Sequence, residues 1–345
     1  METNIFEWQE KLERASKISL FFSAFVFFFL IFFIVFFVFF VPYGAFIFFP
    51  QILLKIIIPK LIFKSLIDSL IIFFIIVPPA FYFAYRNPSF ILDKILNTQK
   101  LDLNDPLHKR AYDSFEKMKI AFGVKNAELR ILNWNIINAM VITTRGNSYL
   151  YITKGALEKL EMEELDAVFA HEFSHVVHKD SYYLTLMSVV AGLTVIVSFF
   201  LIKIFPRIIF SSIITSTKNR EKKLNLGTFI VGIIAIVLGY ILAIISPIIQ
   251  KKLISSVSKK REFMADSKAV LVTKYPPALI SVLSKISKET SDQLNLFKSE
   301  NIPKTIGMLF FNYLDIETHP SIEERIRVLS QTTRTNPEYA TIYFQ

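Results

Sequence analysis

The sequence predicts a multi-pass α-helical membrane protein with about four spans and one globular domain that is mainly α-helical with a small β-sheet. Three observations lead to this fold class. The chain has 345 residues, of which 53% are hydrophobic, and the apolar residues are concentrated in blocks. The blocks have about the 20 residues that a membrane-spanning helix needs. The segments between them are more polar and contain patterns typical of soluble helices and short strands.

Four apolar blocks are the predicted spans, over about 20–41, 66–85, 182–202 and 226–245. The first block holds no charged residue and contains 12 of the 36 Phe in the chain, and a soluble helix is rarely so uniform. It is longer than the roughly 7–15 apolar residues of a signal peptide, so we interpret it as a retained anchor. The second block contains Pro78-Pro79, and we expect it to be kinked or to end early.

The predicted spans divide the chain into four regions. An N-terminal membrane region covers 1–85, and a membrane hairpin covers 181–248. The segments 86–180 and 249–345 then lie on the same side of the membrane, and their 192 residues are a normal size for one globular domain. We therefore expect one domain whose two halves are separated in sequence by the hairpin.

The charge distribution indicates that the chain contacts a lipid bilayer. The net charge is +10, but Lys and Arg mostly flank the apolar blocks, where they meet lipid head groups. This placement argues against nucleic-acid binding. Near the spans, 12 Lys and Arg lie on the domain side and 9 on the opposite side, which favours a cell membrane with the domain in the cytoplasm. The sequence carries no signal for an oligomeric state.

A metal-binding pattern lies within 163–178, which is predicted to form a buried helix because its apolar residues recur at helical spacing without Gly or Pro. His171 and His175 are one turn apart on one face, with Glu172 beside them, in an HExxH pattern. The chain has no cysteine, so His, Asp and Glu are the metal ligands it offers. The pattern predicts one Zn²⁺ per chain, which Mn²⁺ or Co²⁺ could replace in vitro.

Tetrahedral zinc with one open position takes a third protein ligand, and two residues are candidates. His178 lies roughly 10 Å along the helix axis from His171, too far for one ion to hold both, so we interpret it as a polar cap. Glu262 and Asp266 lie one turn apart on a second predicted helix over 261–270. Glu262 could bind the ion while Asp266 accepts the other N–H of a ligand histidine. Taken alone, the same two carboxylates could instead belong to a solvated charged face.

The order of these motifs resembles the membrane-integrated gluzincin metallopeptidases of the HtpX type, relatives of the CAAX prenyl proteases. Five motifs carry the resemblance in chain order: Asn138-Ala139 with MVITT, YLYITKGAL at 149–157, AHEFSHVVHKD at 170–180, Glu262-x3-Asp266, and Thr318-His319-Pro320 followed by Arg325. The resemblance implies a zincin-like catalytic domain and a membrane endopeptidase. The four predicted spans are too few for the many-helix chamber of the prenyl proteases, so a CAAX substrate is disfavoured.

The resemblance also implies roles for individual residues. His171, His175 and Glu262 would bind the zinc, and Glu172 would be the catalytic base. Asp266 would accept a hydrogen bond from a ligand histidine. The substrates would be membrane proteins or misfolded polypeptides.

Two further groups complete the predicted site. By resemblance, His319 or Arg325 would donate to the oxyanion of the tetrahedral intermediate. A short strand is predicted over 139–144, ahead of a turn signal. If this strand lies at the edge of a sheet, an extended substrate could pair with it at Asn138, Ala139, Met140 and Val141.

The position of the motif also predicts where substrates are cut. His175 lies seven residues before Tyr182, where the third predicted span begins, so the zinc would be about 10–15 Å from that span. We therefore expect cleavage in juxtamembrane or dislocated segments, and poor cleavage of free soluble proteins. Two alternatives are a non-catalytic zinc-containing membrane scaffold or chaperone-like adaptor, against which the intact Glu172 argues, and a channel or transporter, which needs polar groups at mid-membrane depth.

Overall fold

A computed structural model describes residues 86–144, 146–204, 261–289, 310–311 and 320–332, together with single positions or short stretches between 14 and 83, 233 and 244, and 292 and 296. The chain divides into two compact units. The first unit comprises Met1–Leu20, Tyr85–Ser188 and Lys251–Gln345, and the second comprises Phe21–Ala84 and Val189–Gln250. The metal centre described below belongs to the first unit.

The first unit is mainly α-helical and contains one small sheet. In chain order the helices are α1 (Pro88–Ile95), α2 (Pro106–Ala121), α3 (Lys154–Lys159), α4 (Met162–Val177), α5 (Asp180–Phe199, which continues into the second unit), α6 (261–273), α7 (Pro276–Lys288) and α8 (Ile322–Thr332). A π-helical turn over Phe200–Ile204 follows α5. The strands are β1 (Thr98–Gln99), β2 (Ala127–Leu132), β3 (Ala139–Thr143) and β4 (Ser148–Thr153). This composition agrees with the predicted mainly helical domain with a small sheet.

The sheet has the strand order β1-β2-β4-β3, in which β2 and β4 are parallel and the two outer pairs are antiparallel. Among the described strands, β3 therefore lies at the end of the sheet. Two residues from the second half of the chain pair with its outer edge: Phe310 forms a bridge with Met140, and the Phe311 N–H donates to the Ala139 carbonyl at 2.7 Å. The chain itself therefore covers part of this edge.

Helix α4 lies at the centre of the first unit, where it packs against α2, α7 and β3. Its side chains Leu165, Phe169 and Phe173 are fully buried. The rings of Phe169 and Phe173 lie 5.9 and 5.4 Å from the ring of Phe115 on α2. Burying each such side chain contributes about 1.5–3 kcal/mol, so the apolar core holds α4 in place.

A buried carboxylate holds the start of α4. Glu164 accepts a hydrogen bond from the Glu161 N–H at 2.7 Å, as part of a capping box that satisfies N–H groups at the helix terminus. Glu164 also accepts from Ser281 Oγ at 2.6 Å and from Lys285 Nζ at 2.7 Å, both on α7. The start of α4 is thus tied to a segment 117 residues further along the chain.

The prediction of a multi-pass membrane protein is wrong for the part of the chain that the structure describes. Within that part, no helix combines the length and the apolar character that crossing a membrane requires. The third predicted span, 182–202, falls on α5 and the π-helical turn. The other three lie mostly outside the described residues: 20–41, 66–85 and 226–245.

The beginning of α5 packs within the first unit. The Thr143 N–H at the end of β3 donates to Thr185 Oγ1 at 3.1 Å, and the hydroxyls of Thr143 and Ser181 are 2.7 Å apart. Ser181 and Thr185 are both buried. The predicted third span therefore starts with polar side chains that belong to the globular unit.

We expect Phe173→Ala to lower the free energy of unfolding by about 3–5 kcal/mol, because it leaves a cavity beside Phe115 and Phe122. Ile120→Ala on α2 is the control, since Ile120 is exposed and its truncation should change the free energy by less than about 0.5 kcal/mol. Denaturant unfolding of the metal-free chains measures both values. Equal losses in the two variants would contradict the packing described here.

Candidate metal centre

Two histidines on α4 bring their ring nitrogens together in the interior. His171 is 0% exposed and His175 is 8% exposed, and their Nε2 atoms are 3.1 Å apart. The two rings are nearly perpendicular, at 82°, with centroids 4.8 Å apart. Glu172 lies between them in sequence and is also buried. The one-turn spacing on α4 thus supplies two candidate metal ligands and a neighbouring carboxylate.

A third candidate ligand comes from α6, in the second half of the chain. Glu262 Oε2 lies 3.5 Å from His171 Nε2, and Glu262 Oε1 lies 3.7 Å from His175 Nε2. Ligands bound to one tetrahedral zinc at about 2.0–2.2 Å are about 3.3–3.6 Å from each other, which is close to the observed spacing. These three residues form the one such group found among the described residues. Two imidazoles and a carboxylate are also the ligand set of catalytic zinc sites that keep the fourth position for water.

The other ring nitrogen of His171 faces a carboxylate on α6. His171 Nδ1 lies 2.9 Å from Asp266 Oδ1, a position from which a carboxylate can set the tautomer and orientation of a ligand imidazole. Arg325 on α8 holds Asp266 with two hydrogen bonds, from Nε to Oδ2 at 2.8 Å and from a terminal nitrogen to Oδ1 at 2.6 Å. All three side chains are buried. The negative Asp266 lies behind His171, and the positive Arg325 lies behind Asp266.

The position of Arg325 bears on the role that the resemblance implied for it. Arg325 is 1% exposed, and its guanidinium lies 4.7 Å from the centre of the Phe311 ring. Its second terminal nitrogen is 3.7 Å from Glu262 Oε2. The guanidinium thus lies behind the ligands, bound to Asp266, and its donation to an oxyanion stays a prediction.

A second carboxylate, which the sequence reasoning missed, lies behind His175. His175 Nδ1 is 3.4 Å from Asp180 Oδ2, and Asp180 Oδ1 is 3.0 Å from Arg261 Nε. Asp180 is the first residue of α5, and Arg261 directly precedes Glu262 on α6. The sequence holds a weak signal for both, since each adjoins a ligand motif, but charged residues at helix ends are more often solvated than buried.

Burial and these neighbours determine the electrostatics of the metal-free site. Burial by itself lowers the pKa of His171, but hydrogen bonding to Asp266 and Glu262 outweighs it and raises that pKa to about 9. Burial raises the pKa of Glu172, and the nearby histidines partly offset this effect. Burial also acts to raise the pKa of Asp266, but Arg325 holds it below its ordinary value. The site therefore combines Asp266, whose carboxylate is kept ionised, with Glu172, whose carboxylate binds a proton more readily, as a general base does.

The sequence analysis named two other histidines, His178 and His319. His178 ends α4, where its Nδ1 is 3.1 Å from Ser174 Oγ, and it does not belong to the metal-binding group. His319 lies outside the described residues. Its predicted role as an oxyanion donor therefore stays a prediction.

The predicted substrate strand lies at the end of the sheet and packs against α4, and much of it is already paired within the chain. The Asn138 N–H donates to a threonine hydroxyl of β4 at 3.0 Å, and the Asn138 side-chain oxygen accepts from the Ala139 N–H at 2.9 Å. Ala139 and Met140 also pair with residues 310–311. Val141 is buried and continues the strand. An added strand would therefore meet an edge that is partly occupied.

Comparison with known proteins shows what this chain is similar to. The model of peptidase family M48 matches residues 108–333. A "Protease HtpX homolog" of Dictyoglomus turgidum is 32% identical over 267 residues, which cover 74% of this chain and 79% of the relative. Proteins of the same description from Caldanaerobacter subterraneus and Bacteroides fragilis are 31% identical over 226 residues and 28% identical over 265 residues, covering 63% and 73% of this chain and 70% and 76% of the relatives. No solved structure matches the chain.

The raised pKa of His171 predicts that zinc binding releases a proton. With a pKa of about 9, the metal-free side chain is protonated at about pH 7 and must lose that proton to bind the ion. The apparent zinc affinity should therefore rise about tenfold per pH unit through this group and level off above about pH 9. Calorimetric titration with zinc, in buffers of different ionisation enthalpy, measures the protons released.

The control for this prediction is Asp266→Asn, which removes the carboxylate that raises the pKa of His171 most. Fewer protons should then be released at neutral pH. Zinc binding by the wild-type chain without proton release at about pH 7 would contradict the prediction.

Proposed function

The chain belongs to peptidase family M48, and on this basis we propose that it is an endopeptidase that hydrolyses peptide bonds with zinc and with Glu172 as the general base. The prediction of a zinc metallopeptidase of the HtpX type is confirmed by the family match and by the descriptions of the relatives. For this chain, the proposal is carried by the convergence of His171, His175 and Glu262 beside the buried Glu172. Three ligands leave one position open, whereas a structural zinc site is closed by four.

The catalytic role of each residue follows from its position. Zinc, when held by His171, His175 and Glu262, would activate a water molecule and polarise the scissile carbonyl group. Glu172 accepts a proton from the attacking water and then passes it to the leaving amine. Because burial raises the pKa of Glu172, its carboxylate takes up the proton more readily than a solvated one would.

We assign supporting roles in this chemistry to two further groups, Asp266 and His319. Asp266 accepts the Nδ1 proton of His171, which leaves Nε2 as the nitrogen that faces the ion. For the developing oxyanion we favour His319 as the donor, because the guanidinium of Arg325 already donates two hydrogen bonds to Asp266.

The substrate that we propose is an extended polypeptide bound beside β3. Support comes from the position of β3 at the end of the sheet and against α4, since a strand added there would run next to the metal ligands. Pairing at Ala139 and Met140 requires the contact with residues 310–311 to open, because those residues occupy the same edge. Substrate binding would therefore compete with a contact inside the chain.

We propose that the enzyme acts at a lipid bilayer on membrane-associated or unfolded polypeptides. Many large apolar side chains of the second unit are exposed, as is typical of surfaces that contact lipid or protein, among them Phe21, Phe25, Phe63, Ile71, Ile75, Tyr82, Val237, Tyr240 and Ile244. The distribution of Lys and Arg supports a location in the cell membrane, with the first unit in the cytoplasm.

A non-catalytic zinc scaffold, the alternative from another class, is less consistent with the site. It would leave Glu172 without a function, although burying a carboxylate is costly unless the group is compensated. A protease for prenylated CAAX proteins would use the same chemistry, and competition between prenylated and unmodified peptides separates that specificity from the one proposed here.

Glu172→Gln should keep one zinc per chain and lower the rate of peptide cleavage by about 10²–10⁴-fold, because an amide cannot accept the proton from water. Glu163→Gln is the matched control, since it makes the same change at an exposed position of α4 and should retain activity. Metal analysis and cleavage of casein or a membrane protein measure both properties. Unchanged cleavage by Glu172→Gln would refute the assignment.

A polypeptide tethered to the membrane should be cleaved faster than the same polypeptide free in solution, when both are presented to the enzyme in one lipid preparation. The physical reason is that tethering raises the concentration of substrate at the surface where the enzyme lies. Glu172→Gln serves as the inactive control for both substrates. Equal turnover of the two forms would speak against a membrane-bound substrate.

A further inference from the structure

Each histidine ligand has a carboxylate behind it and an arginine behind the carboxylate. For His171 the carboxylate is Asp266, as described above. For His175 the same order recurs with different residues: Asp180 Oδ2 lies 3.4 Å from the ring nitrogen Nδ1, and Arg261 Nε lies 3.0 Å from Asp180 Oδ1. In the second arrangement the carboxylate lies on α5 and the arginine on α6, whereas in the first they lie on α6 and α8.

The connection between α4 and α5 brings Asp180 back to His175. Lys179 has φ of +61°, a left-handed conformation that costs a residue with a side chain about 1–2 kcal/mol. Immediately after this turn, Ser181 Oγ donates to the His175 carbonyl at 3.3 Å. The chain thus turns at the end of α4 and places the first residue of α5 beside His175.

Arg261 connects the same carboxylate to the third ligand. Arg261 is 4% exposed and Asp180 is 5% exposed, and removing either charge would leave the other buried without its partner in this pair. Because Arg261 directly precedes Glu262 on α6, the ion pair holds this part of α6 beside Asp180. Two of the three candidate ligands, His175 and Glu262, are thereby tied to one buried pair.

We propose that Asp180 and Arg261 are positioning residues of the metal centre. Asp180 orients His175 through Nδ1, while Arg261 holds Asp180 and sets the position of Glu262. The inference rests on the proposed zinc site and adds to it the residues that keep the second and third ligands in place. Metal-site partners of this kind typically change metal affinity about 10- to 100-fold when they are replaced.

Asp180→Asn tests the first half of the proposal, because the amide keeps the size of the side chain and removes its charge. The zinc affinity of the full-length chain, measured by competition with a chromophoric chelator, should fall about 10- to 100-fold. With Co²⁺ in place of zinc, the visible absorption spectrum should change, because His175 is no longer held in one orientation. At saturating zinc, kcat should fall while KM changes little, since both residues are buried and would act through the ligands.

Arg261 gives a second test that does not depend on how Asp180→Asn folds. Arg261→Gln should weaken zinc binding to a similar degree. Arg261→Lys should recover part of the loss, because the ammonium keeps an opposite charge next to Asp180 without the planar geometry of the guanidinium.

Asp166→Asn is the matched control for both variants. Asp166 is another buried aspartate on α4, but it pairs with α2, accepting from Ser114 Oγ at 2.6 Å and Lys117 Nζ at 2.5 Å. Its replacement should lower thermal stability and leave zinc affinity at the wild-type value.

The outcomes separate the inference from the proposed function. Wild-type zinc affinity in Asp180→Asn and Arg261→Gln would overturn the inference alone, as would an equal loss of affinity in Asp166→Asn. A wild-type chain that binds no zinc would overturn the proposed function and the inference with it. Weaker zinc binding in the Asp180 and Arg261 variants, with the control unchanged, supports the inference.

Discussion

The pairing of opposite charges in the interior is the interaction on which the rest of the metal centre depends. Around His171 and His175, carboxylates and guanidinium groups are removed from water, and each would be costly to bury alone. The opposite charges are paired in two series, His171–Asp266–Arg325 and His175–Asp180–Arg261. The histidine ends of the two series meet, and Glu262 adds a further negative charge there. A divalent cation at that place is what the remaining negative charge favours, so metal binding and the stability of this interior are linked.

Helix α4 makes this possible because it serves two environments at once. One side carries phenylalanines into the apolar core against α2, and the other carries the ligands toward α6. Polar groups fix both ends of the helix: Glu164 is bound to α7 at the start, and Asp180 faces His175 just beyond the end. Such rigid placement holds ligands to the narrow geometry that a tetrahedral ion requires.

Local features of the fold could be predicted from the sequence, and features made by distant packing could not. The helices expected over 163–178 and 261–270 correspond to Met162–Val177 and 261–273, and the strand expected over 139–144 to Ala139–Thr143, because periodicity and turn signals are local. The ligand pattern was readable for the same reason. The sequence did not show which groups pair with Arg325, with Asp180 and with the edge of β3, because these pairs depend on how distant segments pack together. The expected spans rested on the hydropathy of isolated blocks, which does not show that the start of α5 packs against β3.

The candidate ligands lie in two segments that are far apart in the sequence, so they are not synthesised at the same time. When α4 emerges from the ribosome, its two histidines have neither Glu262 nor Asp266, and Arg325, which pairs with Asp266, comes later still. The half-made chain therefore holds an incomplete metal site. The chain therefore gains a complete metal site only after α6 and α8 have been translated and have folded.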